Sequence, residues 1–350
     1  MRSALCLLLI ASVAASGCVG SNGDEVEGPV TVYVSLPLTG PRAVDGRDAA
    51  DGARLALEQA DGSADGLEVR AEFLDDARGR PWDPVAVGAN ARRAAQDSSA
   101  AAYIGELDSE PTRGSVPITN DANLVQVSPG AGGVDLTRPA SGYPDTPDRY
   151  QPSGQPTFAR IVPADDVEAE GIAAWALELD ARTLSAVSDG TPYGALMVAE
   201  FTEDAEEAGI RVPPEAAAVD MAFNAGEVRG LGLSGPGGSY RTAEALDPSR
   251  LPDKQFADEF RASFSRAPGP YAAYGYEAMA LVLQAIGDAD SGADAFRDSV
   301  RQGVIGGERR ESVLGPYSIT REGDSTVCAI QRYRVRGEAD RESLDAPCPP

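Results

Sequence analysis

Two short loops carry residue types that could hold a small anion. Asp108-Ser109 follows the buried run 100–105 and precedes a predicted helix, and Ser128-Pro129-Gly130-Ala131-Gly132 follows the apolar run 124–127. Backbone N–H groups at a helix start have no partner within the helix, and beside a serine hydroxyl they form a neutral site suited to a carboxylate. Ser109 could instead serve only as the N-cap of that helix.

The residues needed for covalent catalysis are scarce. The chain contains no histidine, which excludes Ser-His-Asp and Cys-His nucleophile pairs and an imidazole-bound zinc. The adjacent carboxylates Asp75-Asp76 and Asp165-Asp166 point to opposite faces of a strand or lie around a helix start, so neither resembles an acid/base pair facing one substrate. We therefore predict that the protein is not an enzyme, and we predict no metal site and no cofactor.

The composition bounds the class of protein and its partners. The formal net charge is −25, which argues against a nucleic-acid partner, because phosphate binding requires a basic surface. Hydrophobic residues make up 42% and aromatic residues only 6%, as in layered α/β proteins. At 350 residues, the chain suggests two lobes of ordinary size.

The amino terminus has the pattern of an export signal. Arg2 gives a positive start, residues 4–14 are apolar, and small residues precede Cys18. An apolar run this short is typical of a secretory signal core and not of a membrane span. The ending Ser16-Gly17-Cys18 resembles a bacterial lipobox, although Ala15 stands where that pattern prefers leucine. An ordinary signal peptide cleaved nearby is the alternative.

These features predict where the mature protein lies. We predict a lipoprotein signal peptide at 1–17, lipidation of Cys18, and a flexible polar tether at 18–29. The lipid alone would then hold the protein on the outer face of the cell membrane. Cys328 and Cys348, both near the carboxyl terminus, most simply form a disulfide in that oxidising exterior, and a free reactive thiol is the alternative.

Strand and helix patterns alternate over the first half of the chain, which indicates βαβ units and a parallel sheet covered on both faces. Functional loops then lie at the carboxyl ends of the strands. The predicted strands are 30–36, 67–74, 100–105, 124–127 and 158–162, and the predicted helices are 49–60, 84–96 and one beginning near 111.

The second half has a similar alternation with a less regular end. The glycine-dense segment 226–238 is predicted to carry the chain back to the first lobe, and Arg321-Glu-Gly-Asp324 is a turn signal for a hairpin. Helices are predicted at 165–179, from after 194 to 208, and at 252–264, 271–286 and 293–303, and strands at 183–187, 215–223, 317–320 and 327–335.

Several motifs, taken in their order and spacing, resemble the branched-chain amino acid ABC transporter substrate-binding family. The resemblance runs across most of the mature chain. The motifs are Val32-Tyr-Val-Ser-Leu-Pro-Leu-Thr-Gly40-Pro41 with Gly46 and Gly52-Ala53, Tyr103-Ile-Gly105 through Ser109 and Thr112, Val127-Ser-Pro129 to Asp135-Leu-Thr137, 189–194, and Pro270-Tyr271-Ala-Ala-Tyr-Gly-Tyr276.

The resemblance implies an α/β fold of the type I periplasmic-binding class. Two lobes, each a mostly parallel sheet flanked by helices, would be joined by three crossings and close over a ligand in the cleft. We assign residues 30–162 and about 231–318 to the first lobe, and residues 163–230 and about 319–350 to the second, shortened lobe.

The resemblance also implies the ligand site. In this family the serine after the Ile-Gly strand and the loop after the Ser-Pro strand hold the ligand's α-carboxylate and ammonium, and Ser109, Gly130 and Gly132 occupy those positions. Tyr193 could line an apolar side of the ligand or pack in its turn, and Asp165 could meet an ammonium group or cap a helix. The remaining predicted site residues are Asp45, Asp108, Ser128 and Ala131.

Two departures from the family pattern bear on specificity. Gly132 stands where a threonine hydroxyl often lies, which removes one side-chain donor. After the strand ending near 223, a stretch of family pattern is absent, including segments that usually bring an aromatic residue and a glutamate to the amino group. The second lobe is therefore predicted to be shortened.

Two hypotheses of different classes follow. The first is a lipid-anchored receptor that captures a small polar ligand, such as an amino acid or a related carboxylate, by hinge closure and delivers it to an ABC permease. The second is a sensory or structural lipoprotein outside transport, which kept the fold and lost amino-acid binding.

Overall fold

The computed structural model describes residues 26, 28–213, 219–226, 230–290, 292, 295–336 and 341–349. Within them, two six-stranded sheets form the centres of two lobes. The strands are β1 (Val30–Leu36), β2 (Ser63–Ala64), β3 (Leu67–Asp75), β4 (Ala100–Ile104), β5 (Val125–Ser128), β6 (Phe158–Arg160), β7 (Leu184–Ser188), β8 (Met221–Gly226), β9 (Gly230–Gly235), β10 (Gly238–Ala243), β11 (Gln331–Val335) and β12 (Arg341–Ser343).

Helices cover both lobes. They are α1 (Ala43–Gln59), α2 (Pro84–Gln96), α3 (Ser109–Asp121), α4 (Asp165–Glu178), α5 (Pro192–Glu207), α6 (Phe256–Phe264), α7 (Pro270–Gly287) and α8 (Phe296–Val304). In the described part of the chain, no helix has the length and apolar character needed to cross a membrane.

The first sheet has the order β2-β3-β1-β4-β5-β6, and all its pairs are parallel except β2 with β3. All five residues of β4 are buried, as expected of a strand covered on both faces. On one face, α1 and α7 pack closely because Gly52 and Gly275 lie at their crossing. A Cβ on Gly52 would come within 1.9 Å of the Ala272 carbonyl oxygen. This sheet confirms the predicted α/β layering.

The second sheet has the order β12-β11-β10-β9-β8-β7, with β7 and β8 parallel and the remaining pairs antiparallel. Helices α4 and α5 pack on it. In its core the rings of Phe201 and Phe223 stack with centroids 3.7 Å apart, and Trp175 meets Tyr240 edge to face. The sheet is therefore mixed rather than mostly parallel.

The prediction for the glycine-dense segment 226–238 was wrong. Its described part forms β9 and the turn into β10, and both strands stay in the second sheet instead of returning to the first. Leu231 and Leu233 alternate with glycines and are buried, and Pro236-Gly237 connects the strands as a two-residue turn. The chain leaves the second sheet after Ala243, beyond the predicted boundary near 231.

The predicted hairpin around residues 321–324 was only partly right. Ile319 and Ser325 form an isolated antiparallel bridge, but 331–335 pairs with β10 in the second sheet. Along the described residues the chain thus passes between the sheets three times, after β6, after β10 and before β11. Cys328 and Cys348 form a disulfide beside the last passage, with Cα atoms 4.9 Å apart.

Candidate functional site

The predicted site residues meet where the two lobes touch. We call this region the seam. On the first-lobe side it contains Ser109, residues 130–133 and Tyr271. On the second-lobe side it contains Asp165, Glu168, Tyr193 and Glu244.

The loop after β5 is held by a serine hydroxyl. Ser128 Oγ donates to the Glu106 carbonyl oxygen at 2.6 Å, and it accepts hydrogen bonds from the backbone N–H groups of Gly130 at 3.2 Å and Ala131 at 2.8 Å. Two backbone donors that the sequence suggested for a ligand carboxylate are therefore bonded within the loop itself. Ser128 shapes the loop and is fully buried.

Ser109 is the first residue of α3, and Asp108 occupies the cap position without making a side-chain cap hydrogen bond. Ser109 Oγ accepts a hydrogen bond from the Gly133 N–H at 2.8 Å. The serine therefore links the start of α3 to the loop after β5, and simple capping does not account for it.

An arginine that the sequence analysis missed connects the other two predicted aspartates. Arg42 donates to Asp45 at 2.5 Å and to both Asp108 carboxylate oxygens, at 2.7 and 3.2 Å. Its guanidinium lies 5.6 Å from the centre of the Tyr271 ring. Burial raises the pKa of Asp45, and Arg42 opposes this effect. Arg42 could have been predicted as a site residue, because it directly follows the Gly40-Pro41 turn at the carboxyl end of β1, where functional loops lie.

Gly132 and Asp165 approach each other closely. The Asp165 N–H donates to the Gly132 carbonyl oxygen at 2.9 Å, and a Cβ on Gly132 would come within 2.0 Å of Asp165 Oδ1. Only glycine at position 132 leaves room for this carboxylate. Asp165 is 8% exposed, and its pKa is raised to about 7, chiefly by burial and then by Glu244.

Two further carboxylates face Asp165. Glu168 lies one turn later on α4 and is 4% exposed. Burial, followed by the charges of Glu244 and Asp165, raises its pKa well above its ordinary value. Glu244 directly follows β10 and accepts a hydrogen bond from the Tyr271 hydroxyl at 2.5 Å. We refer to Asp165, Glu168 and Glu244 as the acidic cluster.

Two arginines whose charges act on Asp165 are occupied elsewhere. Arg160 is fully buried, donates to the Ala131 and Gly133 carbonyl oxygens, and has its Nε 3.0 Å from Asp324. Arg113 makes a two-bond contact with Asp135 at 2.7 and 2.8 Å. Both lower the pKa of Asp165, but neither pairs with the cluster. In the described part of the chain, no ion pair involves any of its three carboxylates.

Two tyrosines complete the seam. Burial raises the pKa of Tyr193 well above its ordinary value, and Asp165, Glu168 and Glu244 add to the effect. The pKa of Tyr271 is also raised, first by burial and then by Glu244. Both rings therefore keep their protons at neutral pH and can donate hydrogen bonds. Among the described residues, no group of three or more metal-ligating side chains is close enough to hold a metal ion.

Comparison with known proteins identifies the family to which the chain belongs. A sequence profile described as "periplasmic binding protein" matches residues 29–230. The chain belongs to this family. It is a family of solute-binding proteins rather than enzymes, in agreement with the prediction that the chain is not an enzyme.

Solved structures of this class share the fold. A leucine binding protein from Thermotoga maritima has a TM-score of 0.72 at 18% identity, covering 91% of this chain and 99% of the other. An ABC transporter substrate-binding protein from Desulfitobacterium hafniense in complex with leucine gives 0.71 at 19%, covering 90% and 100%. A Rhodopseudomonas palustris solute binding protein in complex with 3,4-dihydroxybenzoic acid gives 0.68 at 18%, covering 92% and 98%. No curated protein sequence matches the chain.

The family match and the fold neighbours confirm the resemblance to substrate-binding proteins of ABC transporters that the sequence motifs indicated. The shortened second lobe stays a prediction. Cys18 and the signal segment lie outside the described residues. All nine predicted ligand-binding positions lie in or beside the seam, and their role in binding stays a prediction. Sequence analysis missed Arg42, Glu168 and Glu244. An acidic residue three positions after Asp165 on one helix was the signal for Glu168.

Proposed function

We propose that the protein is an extracytoplasmic receptor that captures a small polar ligand in the seam and delivers it to an ABC permease. The approach of Gly132 in one lobe to Asp165 in the other carries the proposal, because ligand groups held there would contact both lobes. A ligand that contacts both lobes favours the closed arrangement by its added binding free energy. Each charged hydrogen bond would contribute about 1.5–3 kcal/mol.

The fold neighbours support this proposal. Structures with this fold have been solved with leucine and with an aromatic carboxylate, so the fold accommodates ligands of different chemistry. In this chain the polar groups of Ser109, Asp165 and Tyr193 would contact the ligand. Position 132 offers no hydroxyl, so specificity for branched-chain amino acids is not part of the proposal.

A ligand search tests the proposal directly. The mature protein would be purified from its own cells and examined by native mass spectrometry for a bound small molecule. We expect a released molecule that also raises the melting temperature when added back. Ser109→Ala should weaken its binding about tenfold through loss of a hydrogen bond. Ser153→Ala, at an exposed turn, is the matched control and should bind normally.

The search also distinguishes the second hypothesis. If no small molecule is bound, and no amino acid, amine or carboxylate shifts the melting temperature, the protein is not a solute receptor. A sensory or structural lipoprotein that retains the fold would then account for the chain.

We propose that the receptor is anchored through lipidated Cys18. The Ser16-Gly17-Cys18 pattern at the end of a short apolar run supports this proposal. Expression of the full chain in a bacterial host should place the protein in the membrane fraction, with a mass that includes the lipid. Cys18→Ala should abolish the lipid mass. A wild-type protein without lipid would support an ordinary signal peptide.

A further inference from the structure

Arg138 connects groups that belong to different lobes. It lies in the first lobe, in the loop that follows β5, and its guanidinium donates two hydrogen bonds to the Asp166 carboxylate, at 2.6 and 3.0 Å. Asp166 lies in the first turn of α4, which packs on the second sheet. An arginine and a carboxylate joined by two bonds have a defined relative orientation. The pair therefore fixes the start of α4 against the first lobe.

Asp324 anchors Arg138 on the first-lobe side. Its carboxylate accepts hydrogen bonds from Arg138 Nε at 3.0 Å and from the Thr137 hydroxyl at 2.9 Å, and it lies 3.0 Å from Arg160 Nε. The Asp324 N–H donates to the Thr320 hydroxyl at 3.2 Å, so the backbone of this turn is held as well. Arg138 is thus fixed beside the third passage between the sheets.

Arg160 extends this connection to the loop at the seam. It ends β6, directly before the first passage between the sheets, and it is fully buried. It donates to the carbonyl oxygens of Ala131 and Gly133, at 3.1 and 2.9 Å. These two residues flank Gly132, against which Asp165 lies. One network of polar contacts therefore includes the first passage, the turn before the third passage, and the loop of the proposed site.

The two helices beside Asp166 supply no cation. Neither α4 nor α5 contains a lysine or an arginine. Burial and the charge of Asp166 raise the pKa of Glu200, and Arg138 opposes this effect. The pKa of Asp204 is raised to about 7 by burial and then by Glu170 and Glu200. The first lobe thus supplies a positive charge to a carboxylate-rich face of the second lobe, and separating the lobes would remove it.

We propose that the Arg138–Asp166 ion pair holds the two lobes in contact beside the seam, with Arg138 as the positioning residue. The inference goes beyond the proposed receptor function, because it concerns the lobes of the ligand-free protein. Breaking the pair should shift molecules toward an arrangement with separated lobes. The Arg138 side chain is 37% exposed, so the pair is of modest strength. The ratio of closed to open molecules should therefore fall roughly three- to fivefold when the pair is removed.

Hydrogen exchange measures this opening in the purified full chain, after dialysis to remove any bound small molecule. The Asp165 N–H donates across the seam to the Gly132 carbonyl oxygen, so its exchange reports separation of the lobes. In Arg138→Gln this exchange should be roughly three- to fivefold faster, as followed by mass spectrometry with fragmentation to single residues. The Glu168 N–H, which donates within α4 to the Ala164 carbonyl oxygen, should exchange at its wild-type rate.

Matched variants separate the ion pair from a general change of charge. Arg149→Gln makes the same change at an exposed position between β5 and β6 and should behave like the wild type. Asp166→Asn should reproduce the effect of Arg138→Gln, and the double variant should add nothing, because both residues act through one pair. Salt at about 1 M should speed Asp165 exchange in the wild type and not in Arg138→Gln, since screening weakens a partly exposed pair.

The same data can overturn the inference. Equal Asp165 exchange in Arg138→Gln and Arg149→Gln would do so. Equal acceleration at Asp165 and Glu168 would also do so, because the variant would then only loosen the first turn of α4. Additive effects of Arg138→Gln and Asp166→Asn would show that the two residues do not act as a pair. None of these measurements uses a ligand, so the inference and the receptor function can fail independently.

Discussion

Replacing Asp165 by asparagine should stabilise the empty protein above neutral pH. Burial raises the pKa of Asp165 from 3.8 to about 7, Glu244 and Asp166 add to the shift, and Arg160 and Arg113 oppose it. The folded state therefore favours the protonated form. The cost of ionising the buried carboxylate is absent below about pH 4, grows between pH 4 and 7, and is complete above pH 7.

The size of the effect follows from the shift. A difference of about three pKa units corresponds to roughly 4 kcal/mol of unfolding free energy. Asparagine keeps the shape of the side chain and removes the charge. We expect Asp165→Asn to raise the free energy of unfolding by up to about 4 kcal/mol at pH 8 and by little at pH 4.5.

Urea unfolding followed by circular dichroism measures this difference. Both proteins would be compared without ligand at pH 4.5, 6 and 8. Asp180→Asn is the matched control, because Asp180 is exposed in the turn after α4, and it should show no such pH dependence. The reasoning is refuted if Asp165→Asn changes the free energy by the same amount at pH 4.5 and pH 8.

Three further predictions concern the surroundings of the seam. Arg160→Met should lower the free energy of unfolding by about 1–3 kcal/mol, because it removes the buried donor to the Ala131 and Gly133 carbonyl oxygens, while Asp324 keeps its ion pair with Arg138; no measurable loss in urea would contradict this. Gly132→Ala should weaken binding of the identified ligand at least tenfold, and by much less when Asp165 is also alanine; calorimetry showing equal losses in the two backgrounds would exclude a clash. Replacing Cys328 and Cys348 together by serine should cost about 3 kcal/mol through loss of the loop constraint; an unchanged urea midpoint would contradict this.

The sequence predicted the first lobe well because its signals are local. Runs such as 100–104 are continuously apolar, as parallel strands buried on both faces must be, and the turns between elements carry glycine and proline. β9 was missed because glycine alternates with leucine there, and glycine is itself a strong loop signal. Two leucines with period-two spacing were too weak to outweigh it.

The site was predicted where motifs mark it and missed where tertiary contacts create it. Ser109 stands in a recognisable motif, and Asp165 opens a predicted helix. Glu244 follows β10, in a stretch that was assigned to the first lobe, and its approach to Asp165 depends on the position of β10 in the second sheet. No pattern along the chain reports that Glu168 and Glu244 face each other. Electrostatic interactions between residues far apart in the sequence can be identified only once the topology is known.

The pair Gly132 and Asp165 explains how a change at one position can alter the whole seam. The resemblance to the family implies a threonine, with a hydroxyl donor, at position 132. Glycine here removes that donor and admits an acceptor, since Asp165 Oδ1 lies where a side chain would begin. In this arrangement Asp165 is buried and its pKa is raised by burial and by the charge of Glu244. Ionisation of Asp165 is therefore penalised, and the contact between the two lobes at Gly132 should be less stable above pH 7 than at pH 4.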